Sequence, residues 1–235
     1  MSEPICHRRA SHLSFAGIGI HAAENVHEGA LATLGRLLQP GARVADLGAG
    51  SGAFSLRLQS AGYKPVAVDM NVDVRPEGIP FLEADVTDLT SVFEPESLPA
   101  AVAIECMEHL HDPIRFLESV WQVLEPAGVF LSTTPNVIHP YSRLKFAVKG
   151  TFWLFSPEWY WSTGHITPLP EWLLRAHLTN AGFQDIEHGL IGDFDFHGMK
   201  RMLIKAMRRR LHSTGAPLGV EGDGSNLVMV GRKPS

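Results

Sequence analysis

A run of glycines and three carboxylates are the residues best suited to chemistry, and each lies where a predicted strand ends. Gly48-Ala49-Gly50-Ser51-Gly52 follows a short apolar strand and precedes a predicted helix. Such a turn lets a ligand approach the backbone closely, and the start of the helix leaves N–H groups unpaired. Asp46 lies two residues before the first glycine, Asp69 ends the second predicted strand and Asp85 ends the third. This pattern predicts a site for a nucleotide-like ligand.

Two cofactor classes fit the glycine turn. Gly48-x-Gly50-x-x-Ala53 satisfies a loose dinucleotide pattern, so NAD is one candidate. The Asp46 carboxylate argues against NAD, because it would repel an anionic pyrophosphate. S-adenosylmethionine has no phosphate and carries ammonium and sulfonium charges, so an acid at this position favours it. Asp69 suits both cofactors as an acceptor for ribose hydroxyls, and Asp46 has the alternative role of capping the turn.

The surrounding segments alternate between strands and helices. Apolar runs predict strands over 43–47, 65–69, 79–84, 100–104, 129–133, 183–191 and 226–231. Helical spacing of apolar residues predicts helices over 22–38, 54–61, 113–124 and 169–181. This alternation predicts an α/β fold, with a Rossmann-like, mostly parallel sheet of seven strands and helices on both faces. The acids then gather at the edge where open parallel sheets bind ligands.

The sequence predicts a single domain over 1–235, with two segments that do not follow the alternation of strands and helices. Residues 1–21 form a lead-in without clear periodicity. Residues 136–167 form an insertion rich in aromatic side chains, including Trp153, Trp159 and Trp161. We expect this insertion to be a lid and acceptor wall, and the alternative is that its aromatic side chains are ordinary core.

Four segments, in order, resemble the motifs of class I S-adenosylmethionine-dependent methyltransferases. The segments are 44–52, 66–70, 85–86 and 104–110. Glu105-Cys106-Met107-Glu108-His109 has the "E-x-x-EH" form of ubiquinone-biosynthesis-type O-methyltransferases. The resemblance covers about residues 22–191 and the final strand. It implies an antiparallel last strand, S-adenosyl-L-methionine as cofactor and S-adenosyl-L-homocysteine as product.

The cofactor-binding residues that follow from the turn, the strand ends and the resemblance are Asp46, Gly48, Ala49, Gly50, Gly52, Asp69, Met70, Asp85, Val86 and Glu105. Segments 134–136, 142–144 and 164–168 resemble a bacterial subgroup associated with cell-surface polysaccharide or lipid pathways. The expected acceptor is therefore a small molecule or a saccharide- or lipid-linked molecule, methylated at oxygen. The alternatives are a cofactor-binding protein of this fold without catalysis and an NAD-dependent oxidoreductase.

Methylation of a hydroxyl is helped by a base, and histidine titrates in the useful range. His109 follows the fourth motif strand, and His165 lies in a Gly-His turn after the aromatic insertion. Each has a structural alternative: His109 as a pocket or capping residue, and His165 as a hydrogen-bonding residue that holds the lid. His111 lies close to His109, but two histidines without a third ligand do not predict a metal site.

Composition and charge limit which partners and which cellular compartment the sequence predicts. The formal net charge of −5 gives no basic excess of the kind that accompanies nucleic-acid binding. Residues 199–211 form a basic amphipathic helix pattern, which suits either a membrane surface or a helix packed on the domain. The start of the chain lacks a signal-like apolar core, and no apolar run approaches the roughly 20 residues of a membrane span. Two cysteines predict no disulfide framework. We therefore expect a cytoplasmic protein with peripheral membrane contact left open, and the sequence leaves the oligomeric state open as well.

Overall fold

The computed structural model describes residues 13–72, 77–193 and 224–235, together with five positions between 202 and 209. Its strands are β1 (Ser14–Phe15), β2 (Ile18–Gly19), β3 (Arg43–Leu47), β4 (Lys64–Asp69), β5 (Phe81–Glu83), β6 (Leu98–Ile104), β7 (Leu124–Pro135), β8 (Gln184–Ile191) and β9 (Asn226–Arg232). Its helices are α1 (Val26–Gly35), α2 (Ala53–Ser60), α3 (Pro113–Val123), α4 (Pro140–Lys149), α5 (Pro157–Thr163) and α6 (Glu171–Asn180).

Seven strands form one sheet in the order β5-β4-β3-β6-β7-β9-β8. The pairs β5–β4, β4–β3, β3–β6 and β6–β7 are parallel, and β9 lies antiparallel between β7 and β8. The predicted α/β class, the mostly parallel sheet and the antiparallel last strand are confirmed. The strand order reverses beside β3, so a crevice opens between the carboxyl ends of β3 and β6.

The sheet is buried on both faces, as parallel sheets require. Alternate residues of β3 belong to two separate apolar clusters. Ala45 and Leu47 pack with α3 and α6, whereas Val44 packs with α1 and α2. Because side chains alternate along a strand, Asp46 faces the α1–α2 side with Val44.

Local sequence signals set the helix boundaries near the site. The Asp112 carboxylate accepts the Arg115 backbone N–H at 2.9 Å, and Pro113 occupies the first turn of α3. The helix predicted over 22–38 is shorter, at Val26–Gly35, because Asn25 precedes it in a left-handed conformation. Residues 125–128 form a bulge within β7: Leu98 pairs with Leu124, and Ala100 pairs with Val129.

The 136–167 insertion contains two helices that the aromatic-rich pattern did not reveal. The ring nitrogen Nδ1 of His139 accepts the Tyr141 N–H at 3.1 Å and caps α4, which ends at Gly150 in a left-handed conformation. Pro157 starts α5, and Gly164 ends it with a φ of 77°. The insertion is therefore a pair of short helices placed after β7.

The ends of the chain differ partly from the expectation. Within the lead-in, β1 and β2 form a hairpin, and the Ser51 hydroxyl on the glycine turn donates to the Gly19 carbonyl at 2.8 Å. The basic helix predicted over 199–211 lies largely outside the described residues; its described positions are helical, with Ile204 buried and Met202 exposed. No helix within the described ranges is long and apolar enough to cross a bilayer.

Candidate active site

The glycine turn is built against both neighbouring strands. Gly48 and Ala49 donate their N–H groups to the Val68 carbonyl of β4, at 2.9 and 3.1 Å. Gly48 has a φ of 70°, and a Cβ on it would lie 2.6 Å from the Cys106 sulfur. Gly50 also has a positive φ, of 51°, but a Cβ there would meet nothing within 4 Å. Packing therefore requires Gly48, whereas Gly50 keeps the space in front of the turn open for a ligand.

Asp69 lies at the mouth of this turn, as its position at the end of β4 predicts. Its carboxylate accepts the Gly50 N–H at 2.8 Å and the Asn71 N–H at 2.8 Å. The next residue, Met70, leaves 69% of its side chain exposed beside the turn. A carboxylate fixed by two backbone donors is well placed to accept hydrogen bonds from the hydroxyls of a ribose.

Asp85 and Val86 follow β5, which pairs in parallel with β4, so they lie at the same edge as Asp69. The exposed Asp85 carboxylate accepts both the N–H and the hydroxyl of Thr87, each at 2.8 Å. Val86 is buried. The Asp85 bonds form a local Asx turn, so the acid is ordered before any ligand arrives. Contact with an adenine remains a prediction for both residues.

Asp46 is buried and bound to helix α2. Its side chain is 1% exposed, and its carboxylate accepts the Ser55 hydroxyl of α2 at 2.6 Å. Burial raises the pKa of Asp46 to about 6, while the hydrogen bonds from Ser55 oppose the rise. In this structure the Asp46 carboxylate is bound to the first turn of α2. Its direct contact with a cofactor remains a prediction.

Glu105 begins the loop after β6 in a left-handed conformation, with a φ of 51°. Its two carboxylate oxygens accept from the Thr133 hydroxyl at 2.8 Å and from the Asn226 side-chain amide at 2.6 Å. Burial raises the pKa of Glu105 to about 7, and these two bonds oppose the rise. The Glu105 carboxylate is therefore held in place by hydrogen-bond donors from β7 and β9. Its contact with a cofactor also remains a prediction.

Glu108, His109 and His165 form a cluster next to the glycine turn. Each offers one ligand atom, and the three atoms lie within 4.8 Å of one another. Glu108 is fully buried, and neither of its carboxylate oxygens finds a hydrogen-bond partner of good geometry among the described residues. Burial, and then the charge of Glu105, raise the pKa of Glu108, while its own backbone N–H and the nearby Thr134 hydroxyl oppose the rise. A buried carboxylate without a hydrogen bond of good geometry is costly in its charged form, so these oxygens are suited to hold a proton or a cation.

The two histidine rings lie edge to face, with centroids 4.8 Å apart. Nδ1 of His109 lies 3.2 Å from the Gly164 carbonyl, and His109 keeps part of its surface open to solvent. Burial lowers the pKa of His109. Burial, and then the neighbouring His109, lower the pKa of His165 to about 4. Both imidazoles are therefore neutral at physiological pH.

The chain holds this cluster together through the backbone. Ile166 and Thr167 donate their N–H groups to the Glu108 carbonyl at 2.9 and 3.0 Å, and the Thr167 hydroxyl donates to the Leu110 carbonyl at 2.6 Å. These bonds dock the 164–168 turn onto the short 3₁₀ helix at Met107–His109. The sequence pattern predicted no metal site, because His111, the neighbour of His109 in the sequence, lies outside the cluster. The candidate partners of His109 are instead Glu108 and His165, which meet only in the folded chain.

A cavity of about 450 Å³ opens beside His165. Most of its surface is apolar, and its wall comes from the insertion and the following turn: Phe155, Ser156, Pro157, Tyr160, Trp161, His165, Ile166 and Pro168. The role of this insertion as an acceptor wall remains a prediction.

Comparison with known proteins adds the family. A family model described as "Methyltransferase domain" matches residues 21–188. Two curated relatives, both named ubiquinone biosynthesis O-methyltransferase, come from Xanthomonas campestris pv. campestris (strain B100) and Paraburkholderia phymatum. They are 32% identical over 109 residues and 30% identical over 120 residues. These matches cover 42% and 47% of this chain, and they span only 45% and 50% of the respective relatives.

Solved structures share the fold. A SAM-dependent methyltransferase from Archaeoglobus fulgidus superposes with a TM-score of 0.61 at 17% identity, covering 88% of this chain and 94% of that one. Phosphoethanolamine N-methyltransferase 2 from Haemonchus contortus, in complex with S-adenosyl-L-methionine, superposes with a TM-score of 0.55 at 17% identity. That match covers 88% of this chain and 53% of the other. At these identities the likeness concerns the fold.

Proposed function

Because the chain belongs to the methyltransferase-domain family, whose methyl donor is S-adenosyl-L-methionine, we propose that it methylates a hydroxyl of a small-molecule, saccharide-linked or lipid-linked acceptor. One observation carries this proposal: the glycine turn is in contact with the loop after β6, residues 105–111, which carries His109. The Cys106 side chain fills the space where a Gly48 Cβ would lie, and His109 follows three residues after Cys106. The loop that carries the candidate base therefore packs against the cofactor turn, which supports methyl transfer between them.

The residues of the crevice fit the cofactor. The open space in front of Gly50 admits a ligand against the backbone, and the Asp69 carboxylate faces the same space through its bond to the Gly50 N–H. Asp69 would accept from the ribose, and Asp85 with Val86 would contact the adenine. When bound, S-adenosylmethionine supplies an electrophilic methyl group on a cationic sulfonium. The protein then has to place the acceptor hydroxyl and take its proton.

His109 is the proposed base. If Nδ1 carries its hydrogen toward the Gly164 carbonyl, 3.2 Å away, Nε2 is left as the atom that accepts a proton. The lowered pKa of His109 keeps the ring neutral and able to accept. His165 lines the cavity and packs against the His109 ring, so it orients both the acceptor and the base.

The test is methyl transfer from labelled S-adenosylmethionine into fractionated extracts, with His109→Ala beside His111→Ala. We expect His109→Ala to slow transfer by about 10²–10⁴-fold, the usual worth of general-base catalysis, with little effect on S-adenosylhomocysteine affinity. His111 lies two residues away and outside the cluster, so His111→Ala is the matched control. Full activity of His109→Ala would remove the base role.

A second mode of proton removal is favoured by the buried Glu108 oxygens, which have no hydrogen bond of good geometry among the described residues. Glu108, His109 and His165 would hold a divalent cation, which acts as a Lewis acid that lowers the pKa of a bound hydroxyl. Chelation separates the two modes. If a cation is used, a chelator abolishes transfer, added Mg²⁺, Mn²⁺ or Zn²⁺ restores it, and Glu108→Gln prevents the restoration. If His109 acts alone as the base, the chelator leaves the rate unchanged.

A further inference from the structure

Helix α5 forms one wall of the apolar cavity, but little of the helix itself is packed into the protein core. None of its residues is buried. Tyr160 is 46% exposed and Trp161 is 83% exposed, although both side chains line the cavity beside His165. Because an isolated helix this short is unstable, α5 depends on contacts at its ends to keep its position. The bonds at its carboxyl end therefore decide where this wall of the cavity lies.

The carboxyl end of α5 is joined directly to the candidate base. Gly164 donates its N–H to the Tyr160 carbonyl at 3.1 Å, which closes the last turn of the helix. The carbonyl of the same glycine lies 3.2 Å from Nδ1 of His109. Gly164 has a φ of 77°, which L side chains rarely adopt, and a Cβ there would lie 3.5 Å from that nitrogen. One residue thus ends the cavity wall and orients the imidazole.

Thr167 holds the backbone around His109. Its N–H donates to the Glu108 carbonyl at 3.0 Å, and its hydroxyl donates to the Leu110 carbonyl at 2.6 Å. Glu108 and Leu110 are the two residues that flank His109 in the sequence. The turn after α5 therefore contacts this histidine at its ring, through Gly164, and at both of its neighbours. A displacement of the turn would shift the ring relative to its hydrogen-bond acceptor.

We propose that Thr167 and Gly164 are positioning residues that hold His109 in the tautomer able to take a proton. In the observed position the Gly164 carbonyl accepts the Nδ1 hydrogen, so Nε2 keeps its lone pair. An imidazole that lacks such an acceptor prefers its hydrogen on Nε2, and that nitrogen can then no longer act as the base. The carbonyl at the end of α5 therefore selects which nitrogen accepts the proton.

The same contact links the base to the acceptor. An acceptor that packs against Tyr160 and Trp161 would hold α5 where the structure shows it, and the Gly164 carbonyl would stay at His109. A molecule that leaves this wall uncovered would leave α5 free to shift, and the tautomer would no longer be fixed. Fit at the wall is thus converted into activity of the base, which is a form of induced fit. This link rests on the proposed function, whereas control of the tautomer by the turn does not.

Spectroscopy of the free protein tests the tautomer without acceptor or cofactor. Long-range hydrogen–nitrogen NMR correlations of isotope-labelled protein, recorded in mildly alkaline buffer with a chelator, distinguish the two neutral tautomers of each histidine. Wild-type His109, assigned by the signals that are missing from His109→Ala, should carry its hydrogen on Nδ1. Thr167→Val removes the hydroxyl and keeps a similar shape, so it should move a large part of the His109 signal to the Nε2–H form. Thr167→Ser keeps the hydroxyl and should match the wild type.

Two further variants serve as control and as second test. Thr179→Val is the matched control, because the Thr179 hydroxyl also donates to a backbone carbonyl, that of Arg175 at 2.9 Å, but lies in α6. Its His109 signal should not change. Gly164→Ala strains the left-handed residue that carries the carbonyl, so it should move the His109 signal in the same direction as Thr167→Val. Thermal unfolding shows which variants are folded, and Gly164→Ala carries the test if Thr167→Val is not.

Kinetics with an accepted substrate add a readout that a purely structural role would not move. Thr167→Val should lower kcat about ten- to hundredfold, the usual cost of a misplaced catalytic group, and leave the KM for S-adenosylmethionine unchanged. Thr167→Ser should restore kcat. Wild-type His109 with its hydrogen on Nε2, or folded Thr167 and Gly164 variants with an unchanged tautomer, would overturn the proposal. The expected tautomers in a protein that transfers no methyl group would support the positioning role and count against the proposed function.

Discussion

At the scale of single residues, Asp69 carries the clearest expectation about the cofactor. Asp69→Ala removes the carboxylate that faces the glycine turn and should weaken S-adenosylhomocysteine binding by about 1–3 kcal/mol, the value of hydrogen bonds to a charged group. Isothermal titration calorimetry measures this loss. Asp88→Ala, in an exposed turn after β5, is the control and should bind normally. Equal affinity of the Asp69 variant and the wild type would exclude Asp69 from the cofactor site.

The pH profile tests the base in the intact protein. A base must be deprotonated, and burial lowers the pKa of His109 below its ordinary value of 6.5. The acidic limb of kcat/KM should therefore have its midpoint below pH 6.5, with the rate lost as pH falls through that midpoint. His109→Ala should abolish this limb together with most of the rate. A midpoint above pH 6.5 would contradict the assignment.

The sequence predicts where a residue lies along a strand, but it does not predict which side chains from distant segments meet. Asp69 and Asp85 stand at the strand ends where the pattern predicts them, because parallel strands present their carboxyl ends at one edge. The burial of Asp46 could also be predicted, since its side chain shares a face of β3 with that of Val44. The contact between Glu108 and His165 could not be predicted, because it depends on the path of the 136–167 insertion, which no periodic pattern describes.

At the scale of elements, two glycines of one turn have different roles: Gly48 is required for packing, and Gly50 leaves space for a ligand. Gly48→Ala should destabilise the fold by about 2–5 kcal/mol, since it adds left-handed strain and a clash with the Cys106 sulfur. Urea denaturation measures the change in the free energy of unfolding. Cys106→Ala should restore part of the loss in the double variant. No rescue would mean that the sulfur is not the obstacle.

Gly50→Ala is the matched substitution in the same turn. Because a Cβ at Gly50 meets no protein atom within 4 Å, the cost to folding should be only the strain of about 1–2 kcal/mol. Cofactor affinity should nevertheless fall, because the new methyl group occupies the ligand space. A Gly50→Ala variant that binds S-adenosylhomocysteine like the wild type would show that the ligand does not approach this glycine.

The order of elements was largely predictable, and the exceptions were local. The alternation of apolar strands with amphipathic helices predicts the sheet, and Pro113 and Gly164 mark true helix boundaries. The pattern missed α4 and α5, because their aromatic and basic residues do not form an apolar stripe facing a core. It also could not show that 125–128 forms a bulge, because a turn and a bulge use the same residue types.

At the scale of the whole molecule, the end of the chain holds the loop that carries the site. Asn226 of β9 donates to Glu105, far earlier in the sequence, and Asn226 is 1% exposed. Asn226→Ala should destabilise the fold by about 1–3 kcal/mol at pH 8, because it leaves a buried carboxylate with one donor fewer. Thermal or urea unfolding provides the measurement, and Asn180→Ala at the exposed end of α6 is the control.

The stability lost in Asn226→Ala should depend on pH. Burial raises the folded pKa of Glu105 to about 7, above its ordinary value, so its contribution to stability is present at low pH and lost as pH rises through 7. Removing a donor raises the folded pKa further, so the Asn226 variant should lose more stability at pH 8 than at pH 5. Equal losses at both pH values would indicate that the amide does not stabilise the charged carboxylate.

The central claim is that the glycine turn binds a cationic sulfonium nucleoside rather than a dinucleotide. Its most direct test is a calorimetric titration of the intact protein with S-adenosylhomocysteine and, separately, with NAD. The structure and the family predict saturable binding of S-adenosylhomocysteine at one site and no heat of binding with NAD. Binding of NAD alone would contradict the claim.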